Sequence, residues 1–173
     1  MKVMLLGLIL MGFSGLQVQD FKEISQLKVS RFGFMAGNWE GEGAMTQGPG
    51  TGTVTQVTEE VYFDVDSTVL VFRGIGKLAS GEKVHDALGV LYYDHFKKSV
   101  KINTWVSKGM HTQASVEWLG DQHFRWFFDA GPDREIRYTI RVKDDIWHEQ
   151  GEISTDSDDS WTLFFEMKLS RVD

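Results

Sequence analysis

The sequence contains no cysteine and only two prolines in 173 residues. Without cysteine the chain has no disulfide framework, no thiolate nucleophile and no cysteine-ligated metal or iron–sulfur cluster. Positive charge is also scarce, since 18 Lys and Arg stand against 25 Asp and Glu and give a formal net charge of −7. An acidic chain lacks the electrostatic footprint that phosphate backbones attract. No nucleic-acid partner is therefore expected.

Compact catalytic and metal-binding motifs are missing as well. No two of the five histidines stand at a ligand spacing such as H-x-x-x-H or H-x-H, so no metal site is predicted. The sequence has no G-x-S-x-G elbow and no glycine-rich phosphate loop followed by Lys and then Ser or Thr. We assign no catalytic residues from these patterns.

The first 19 residues have the pattern of a cleavable secretory signal peptide. Lys2 precedes the apolar stretch Val3 to Phe13, and the small residues Ser14 and Gly15 follow it. A membrane span needs about 20 apolar residues, and this stretch gives way to polar residues from Gln17 onward, so no stable membrane anchor is expected. The sequence therefore predicts export to the periplasm or the extracellular space, with residues 20–173 as a single domain.

Most of that domain alternates with the period of a β-strand. Residues 21–34 are the exception, because their spacing predicts a short helix with Phe21, Ile24, Leu27 and Lys28 on one side. Downstream, ten segments are rich in β-branched and aromatic residues and predict ten strands, at 39–45, 53–65, 68–77, 83–93, 99–107, 112–119, 123–129, 135–142, 146–154 and 161–171.

Turn signals separate these segments at close intervals, among them Gly48-Pro49-Gly50, Ser80-Gly81 and Gly131-Pro132-Asp133. Connections of this length allow hairpins and leave no room for crossover helices. We therefore predict an all-β fold, an antiparallel up-and-down closed barrel of roughly ten strands, with a short N-terminal helix after the signal peptide. A two-sheet sandwich is the alternative. Glycines inside the strand patterns favour the barrel, because they mark the bends and bulges of a strongly coiled sheet.

Two short motifs resemble the calycin superfamily, which includes lipocalins, fatty-acid-binding proteins and nitrobindin-type barrels. The stretch from Gly37 to Gly43 opens the first strand after a short helix, and Leu169-Ser170-Arg171 closes the last strand. In calycins a G-x-W motif at the first strand is covered by a late Arg or Lys. The resemblance implies that Gly37, Trp39 and Arg171 close one end of the barrel. Stacking of a guanidinium on an indole makes this arrangement physically plausible.

Longer stretches resemble a group of secreted, calycin-like bacterial barrels without an established activity. The likeness runs through residues 68–76, 85–90, 93–94, 136–140, 151–154 and 161–171. This resemblance implies the fold and leaves the function open.

The nitrobindin branch of the superfamily holds haem through a histidine on its last strand, and this sequence has none there. Met167 could ligate iron in principle. It alternates with Leu163, Phe165 and Leu169, however, which is more simply a stripe of core residues. No cofactor is expected, haem included.

The predicted interior is rich in aromatic side chains. Aromatic residues from several strands can converge only inside a closed sheet, and a barrel of roughly ten strands is wider than its side chains need fill. Arg73 shares an apolar face with Val69, Val71 and Ile75, and His111 and His148 lie on strands of mixed polarity. The predicted ligand-binding residues are Arg73, Trp105, His111, Trp126, Tyr138 and His148.

The sequence therefore favours a carrier or sensor that binds a small apolar or amphipathic molecule inside the barrel. One alternative is an isomerase or hydrolase with its site at the barrel mouth and His85, His111 or His148 as general base. The other is a filled barrel with an interaction role. The sequence also leaves a homodimer open.

Overall fold

The computed structural model describes residues 20–48, 50–155 and 160–172, so the predicted signal peptide lies outside it. The described residues form one α-helix, one 3₁₀ turn and ten strands. The helix α1 spans Phe21–Ser30, and a 3₁₀ turn spans Gly33–Met35. The strands are β1 Gly37–Met45, β2 Val54–Asp64, β3 Val69–Lys77, β4 Lys83–Asp94, β5 Ser99–Val106, β6 His111–Gly120, β7 His123–Asp129, β8 Glu135–Lys143, β9 Ile146–Ser154 and β10 Thr162–Val172.

The ten strands form a closed antiparallel barrel in which each strand pairs with its neighbours in the chain and β1 pairs with β10. The predicted fold class is confirmed, and the bounds of each strand differ from the predicted ones by at most two residues. Register shifts fall at Gly76/Lys77, Trp118/Gly120 and Leu163/Phe165. Most glycines within the strands therefore do not mark bulges.

Helix α1 lies against one end of the barrel. Its N-terminus is capped by Asp20, whose carboxylate accepts a hydrogen bond from the backbone of Glu23 at 3.1 Å. The Ser25 hydroxyl and the His95 Nε2 are 2.8 Å apart, which ties the helix to the turn between β4 and β5. None of the helices in the described ranges has the length and apolarity needed to span a bilayer.

The side of the helix that the sequence pattern groups together is not the side that is buried. Phe21 and Leu27 are 58% and 67% exposed, whereas Ser25 and Val29 are buried. Ser25 and Val29 are four residues apart and therefore lie on the same side of the helix, which is the side that packs against the end of the barrel. The spacing of the residues predicted the helix, but it did not predict which side of the helix packs against the barrel.

The residues that follow the helix plug this end of the barrel. Val29, Phe32 and Met35 are 0–2% exposed and belong to the same core as the inward side chains of the strands. The Phe32 ring packs edge to face on Trp118 and Phe124, with centroid distances of 5.5 and 5.2 Å. We call this the closed end. The opposite, open end carries the loops between β1 and β2, β3 and β4, β5 and β6, β7 and β8, and β9 and β10.

Arg171 on β10 ties the plug to the barrel wall. Its guanidinium lies 4.0 Å from the centroid of the Trp39 ring, and Trp39 is completely buried. Arg171 donates from Nη1 to the carbonyl of Ala36 at 2.6 Å and from Nη2 to that of Phe34 at 2.8 Å. Its Nε donates to Asp145 at 2.9 Å. One side chain thus holds the 3₁₀ turn, β1 and the turn between β8 and β9 together.

Gly37 is required beside this arginine for two reasons. Its φ of +136° is one that side-chain-bearing residues rarely adopt. A Cβ at this position would also lie 2.5 Å from the Arg171 Nη1. The structure therefore brings Gly37, Trp39 and Arg171 together at the closed end.

We expect Arg171→Ala to lower the free energy of unfolding by about 3 kcal/mol. It removes three charge-assisted hydrogen bonds and a stacked cation, and it leaves two part-buried carbonyls without their arginine donor. Urea unfolding followed by tryptophan fluorescence measures the effect. Arg141 on β8 is exposed and is the matched control, with an expected change within about 0.5 kcal/mol. Equal effects of the two substitutions would contradict the role of Arg171 in closing the barrel.

Candidate functional site

Inward-facing side chains differ in burial along the barrel axis. On β7, Phe124 near the closed end is completely buried, whereas Trp126 and Phe128 towards the open end are half-buried. On β5, Ile102 is 5% exposed and Thr104, two residues nearer the open end, is half-buried. These residues share the inner face because alternate residues of a strand point to the same side.

The same change occurs on β8 and β10. Ile140 and Met167 are 3% and 4% exposed, whereas Tyr138 and Phe165, one inward position nearer the open end, are half-buried. A side chain that points into a closed barrel and keeps accessible surface is reached from the open end or borders space inside the barrel. The closed half is therefore a packed core, whereas the inward side chains of the open half remain partly accessible.

Aromatic rings form one wall of this open half. The Trp126 and Tyr138 rings are stacked, with centroids 4.2 Å apart and planes at 10°. Phe128 continues the stack at 5.9 Å from Trp126, and Phe164 and Phe165 meet Tyr138 edge to face. The arrangement presents flat apolar surface with a phenol hydroxyl at its edge.

A carboxyl group lies at the base of this wall. Glu149 on β9 is opposite Met167 on β10 and Ile140 on β8, so it points inward, and it is 7% exposed. Its Oε2 accepts a hydrogen bond from the indole N–H of Trp147 at 3.2 Å. Burial raises the pKa of Glu149 to about 7, although hydrogen bonds from the Trp147 and Trp126 indoles lower it.

A second carboxyl group enters the interior from β2. Glu59 is opposite the buried Trp39 on β1 and Gly74 on β3. Burial, followed by the charge of Glu149, raises the pKa of Glu59 to about 8, although the charge of Arg73 lowers it. Gly74 makes room for this side chain, because a Cβ there would overlap the Glu59 carboxylate. Glu59 is half-buried by accessible surface, which fits a group enclosed by protein and bordering an internal space.

Two further titratable groups face the interior. Burial, followed by the charge of Glu149, raises the pKa of Tyr138 above its ordinary value of 10. His85 on β4 is opposite Gly76 near the open end, and burial and the charge of Lys108 lower its pKa. The interior therefore carries two carboxyl groups, a phenol and an imidazole.

The structure places two of the six predicted ligand-binding residues, Trp126 and Tyr138, in the interior. The expectation that Arg73 lies in the barrel interior is wrong, although Arg73 does line a cavity of about 300 Å³ along β1, β2 and β3. Arg73 lies on the outer face of β3, 2.5 Å from Asp86, and donates to the carbonyl of Ala87 at 2.7 Å. The inner face of β3 is formed by residues 70, 72, 74 and 76.

Trp105, His111 and His148 also lie on the outer face, which corrects the expectation that they line the interior. The Trp105 and His111 rings stack on each other at 4.9 Å, and both residues are exposed. His148 is opposite Lys168 on β10, and its Nε2 is 2.7 Å from Glu166. On these strands polar and apolar residues occur on both faces, so alternation alone did not identify the inner one.

The sequence analysis missed Glu59 and Glu149, although a signal was present. Glu59 alternates with Val57 and Val61, and Glu149 with Trp147, so each acid shares a face with buried apolar residues. An acidic residue within an apolar stripe is a recognisable sign of an inward carboxyl group.

The part of the chain that the structure describes contains no group of three or more His, Cys, Asp or Glu residues that could hold a metal ion. Met167, the one haem ligand that the sequence offers on the last strand, is 4% exposed and packs in the core beside Leu169.

Comparison with known proteins identifies a similar fold among solved structures. No family model matches this chain, and no curated protein matches it. Among solved structures, the chain is similar to Rv2717c from M. tuberculosis, with a TM-score of 0.60 and 13% sequence identity. The match covers 86% of this chain and 98% of that one. The likeness shows the barrel fold, and at this identity it shows no more.

The buried acids predict a specific pH dependence of stability. The unfolded chain loses the Glu149 proton near the ordinary pKa of 4.5 and the folded chain near 7. The folded state therefore binds more protons between these values, and the free energy of unfolding falls as the pH rises through this window. We expect the difference between Glu149→Gln and the native protein to change by about 3 kcal/mol, in favour of the variant, from about pH 4 to about pH 8.

Urea unfolding at the two pH values measures this change. Glu60→Gln is the matched control, because Glu60 is an exposed acid on the outer face of β2. A Glu149→Gln difference that does not vary with pH would show that the carboxyl group titrates like an exposed one.

Proposed function

We propose that the protein binds a small apolar or amphipathic molecule in the open half of the barrel and serves as a carrier or sensor. The observation that carries the proposal is the combination of inward orientation and residual exposure at Trp126, Phe128, Tyr138 and Phe165. Aromatic walls around free space, with a few polar groups, are typical of small-molecule sites.

The packed closed half supports this function. It holds ten strands in fixed register, so the walls of the open half are positioned before any ligand arrives. A preorganised site gives affinity because little conformational entropy is lost on binding. The polar groups near the base of the aromatic wall suit a ligand with one polar end and one apolar end.

The proposal also includes a calycin-type barrel exported from the cytoplasm. The stacking of Arg171 on Trp39 beside Gly37 supports the calycin relationship, because it is the arrangement that the G-x-W motif implies. The signal-like sequence of the first 19 residues supports export.

Titration with the hydrophobic dye ANS tests the binding function. We expect saturable binding to the folded protein and a Kd about fivefold weaker for Trp126→Leu, because the variant loses the stacked aromatic surface. Trp105→Leu is the matched control, since Trp105 stacks on the outer face and should leave the Kd unchanged.

Two outcomes would contradict the binding function. The first is an absence of saturable dye binding to protein whose far-ultraviolet circular dichroism shows the folded barrel. The second is an equal loss of binding in the Trp126→Leu and Trp105→Leu variants, which would place the dye on the outer surface.

A further inference from the structure

The two inward carboxyl groups lack a positively charged partner inside the barrel. In the described ranges, no Lys, Arg or His forms an ion pair with Glu59 or Glu149. The side chain of Glu149 accepts hydrogen bonds from indoles, and that of Glu59 has no hydrogen-bond partner among the described residues. Arg73, the one cation with an electrostatic effect on Glu59, lies outside the barrel and is paired with Asp86.

This arrangement costs stability unless something compensates for it. Buried carboxylates are normally paired with cations or satisfied by several hydrogen bonds, because removing them from water is expensive. The Glu59 side chain is nevertheless directed into the interior over Gly74, at a position where an apolar residue would pack without penalty. Inward acids without a cationic partner identify a candidate functional site.

The walls above the acids favour a positive charge as well. Trp126 and Tyr138 present stacked ring systems to the same space, and the faces of aromatic rings attract cations. The ring wall adjoins the acid site through the register of the strands, because Trp126 is opposite Tyr138, and Tyr138 is opposite Gly151, the next inward position from Glu149 on β9. The acid pair and the aromatic wall are therefore parts of one site.

We propose that the ligand is a cationic amphiphile, whose ammonium or other amine-derived head lies between Glu59 and Glu149 and whose apolar part lies along Trp126, Tyr138 and Phe128. This assignment rests on the proposed function, since it requires a ligand in the barrel interior. A cation supplies the charge that the two acids lack. An anionic head would meet two carboxyl groups and no cationic side chain.

The titratable groups around the site define how binding should vary with pH. The residues opposite Glu59 and Glu149 on the neighbouring strands do not titrate, as they are Trp39, Gly74, Met167 and Ile140. In the open half, the other titratable groups among the described residues that face the interior are Tyr138, whose raised pKa keeps it neutral, and His85 nearer the open end. Glu59 and Glu149 therefore control the charge of the site near neutral pH.

The test compares three ligands that share an octyl chain: octyltrimethylammonium, octanol and octyl sulfate. Octyltrimethylammonium keeps its charge at every pH. Calorimetric titration of the full barrel at about pH 6 and about pH 9 gives each Kd. We expect the ammonium compound to bind at least about tenfold more tightly at the higher pH, because ionisation of Glu149 alone accounts for a tenfold change. Octanol should show no such gain, and octyl sulfate should bind more weakly than octanol.

Isosteric variants locate the effect. Glu59→Gln and Glu149→Gln should each weaken ammonium binding at about pH 9 and reduce its pH dependence, and the double variant should show a flat profile. Each should leave octanol binding unchanged, which also shows that the barrel is folded. Glu60→Gln removes the same charge from the outer face of β2 and should bind all three ligands like the native protein. This control separates the site from general attraction to an acidic protein.

The outcomes separate this assignment from the binding function. If octanol or the dye binds in the interior and the ammonium compound is not preferred, the assignment of a cationic ligand is overturned, whereas the binding function is retained. A pH dependence that survives in the double variant would overturn it too, because His85 or a surface group would then be responsible. Failure of every ligand to bind would overturn both.

Discussion

The antiparallel pairing of β1 with β10 is the constraint on which the rest of the structure depends. It joins the first strand to the last and leaves no free sheet edge, so every inward side chain is enclosed on all sides. Arg171 reinforces this seam by reaching from β10 across Trp39 of β1 to the carbonyls of the 3₁₀ turn. Contacts between the two ends of the chain thus hold the plug in the barrel.

Enclosure explains why the interior can be apolar at one end and acidic near the middle. The closed half gains stability from buried apolar side chains such as Phe124 and Leu169. That gain offsets the cost of keeping Glu59 and Glu149 away from water, where burial raises the pKa of both. The packed closed half and the acidic site are energetically coupled, because apolar burial in the closed half compensates for the cost of burying Glu59 and Glu149.

The strands and their order were predictable because alternation and turn residues act locally. Which face of each strand points into the barrel was not predictable in the same way. On β3 the outer face carries Val69, Val71 and Ile75 beside Arg73, while the inner face includes Gly74 and Gly76, so the apolar residues in the sequence do not single out the inner face. Arg73 was consequently placed inside. The register of β3 with β2 and β4 determines which of its residues point into the barrel. Of the site, Trp126 and Tyr138 were predicted. Glu59 was missed, although it alternates with Val57 and Val61 on β2.

The position of the plug also determines how the barrel can be attached to anything else. Helix α1 begins, and β10 ends at Val172, at the closed end, because Phe21 contacts His95 in the turn after β4 and β10 reaches the 3₁₀ turn. A linker, tag or solid support joined ahead of α1 or after β10 therefore emerges beneath the plug. The open end then points away from the support, so an immobilised barrel keeps its entrance free for small molecules from solution.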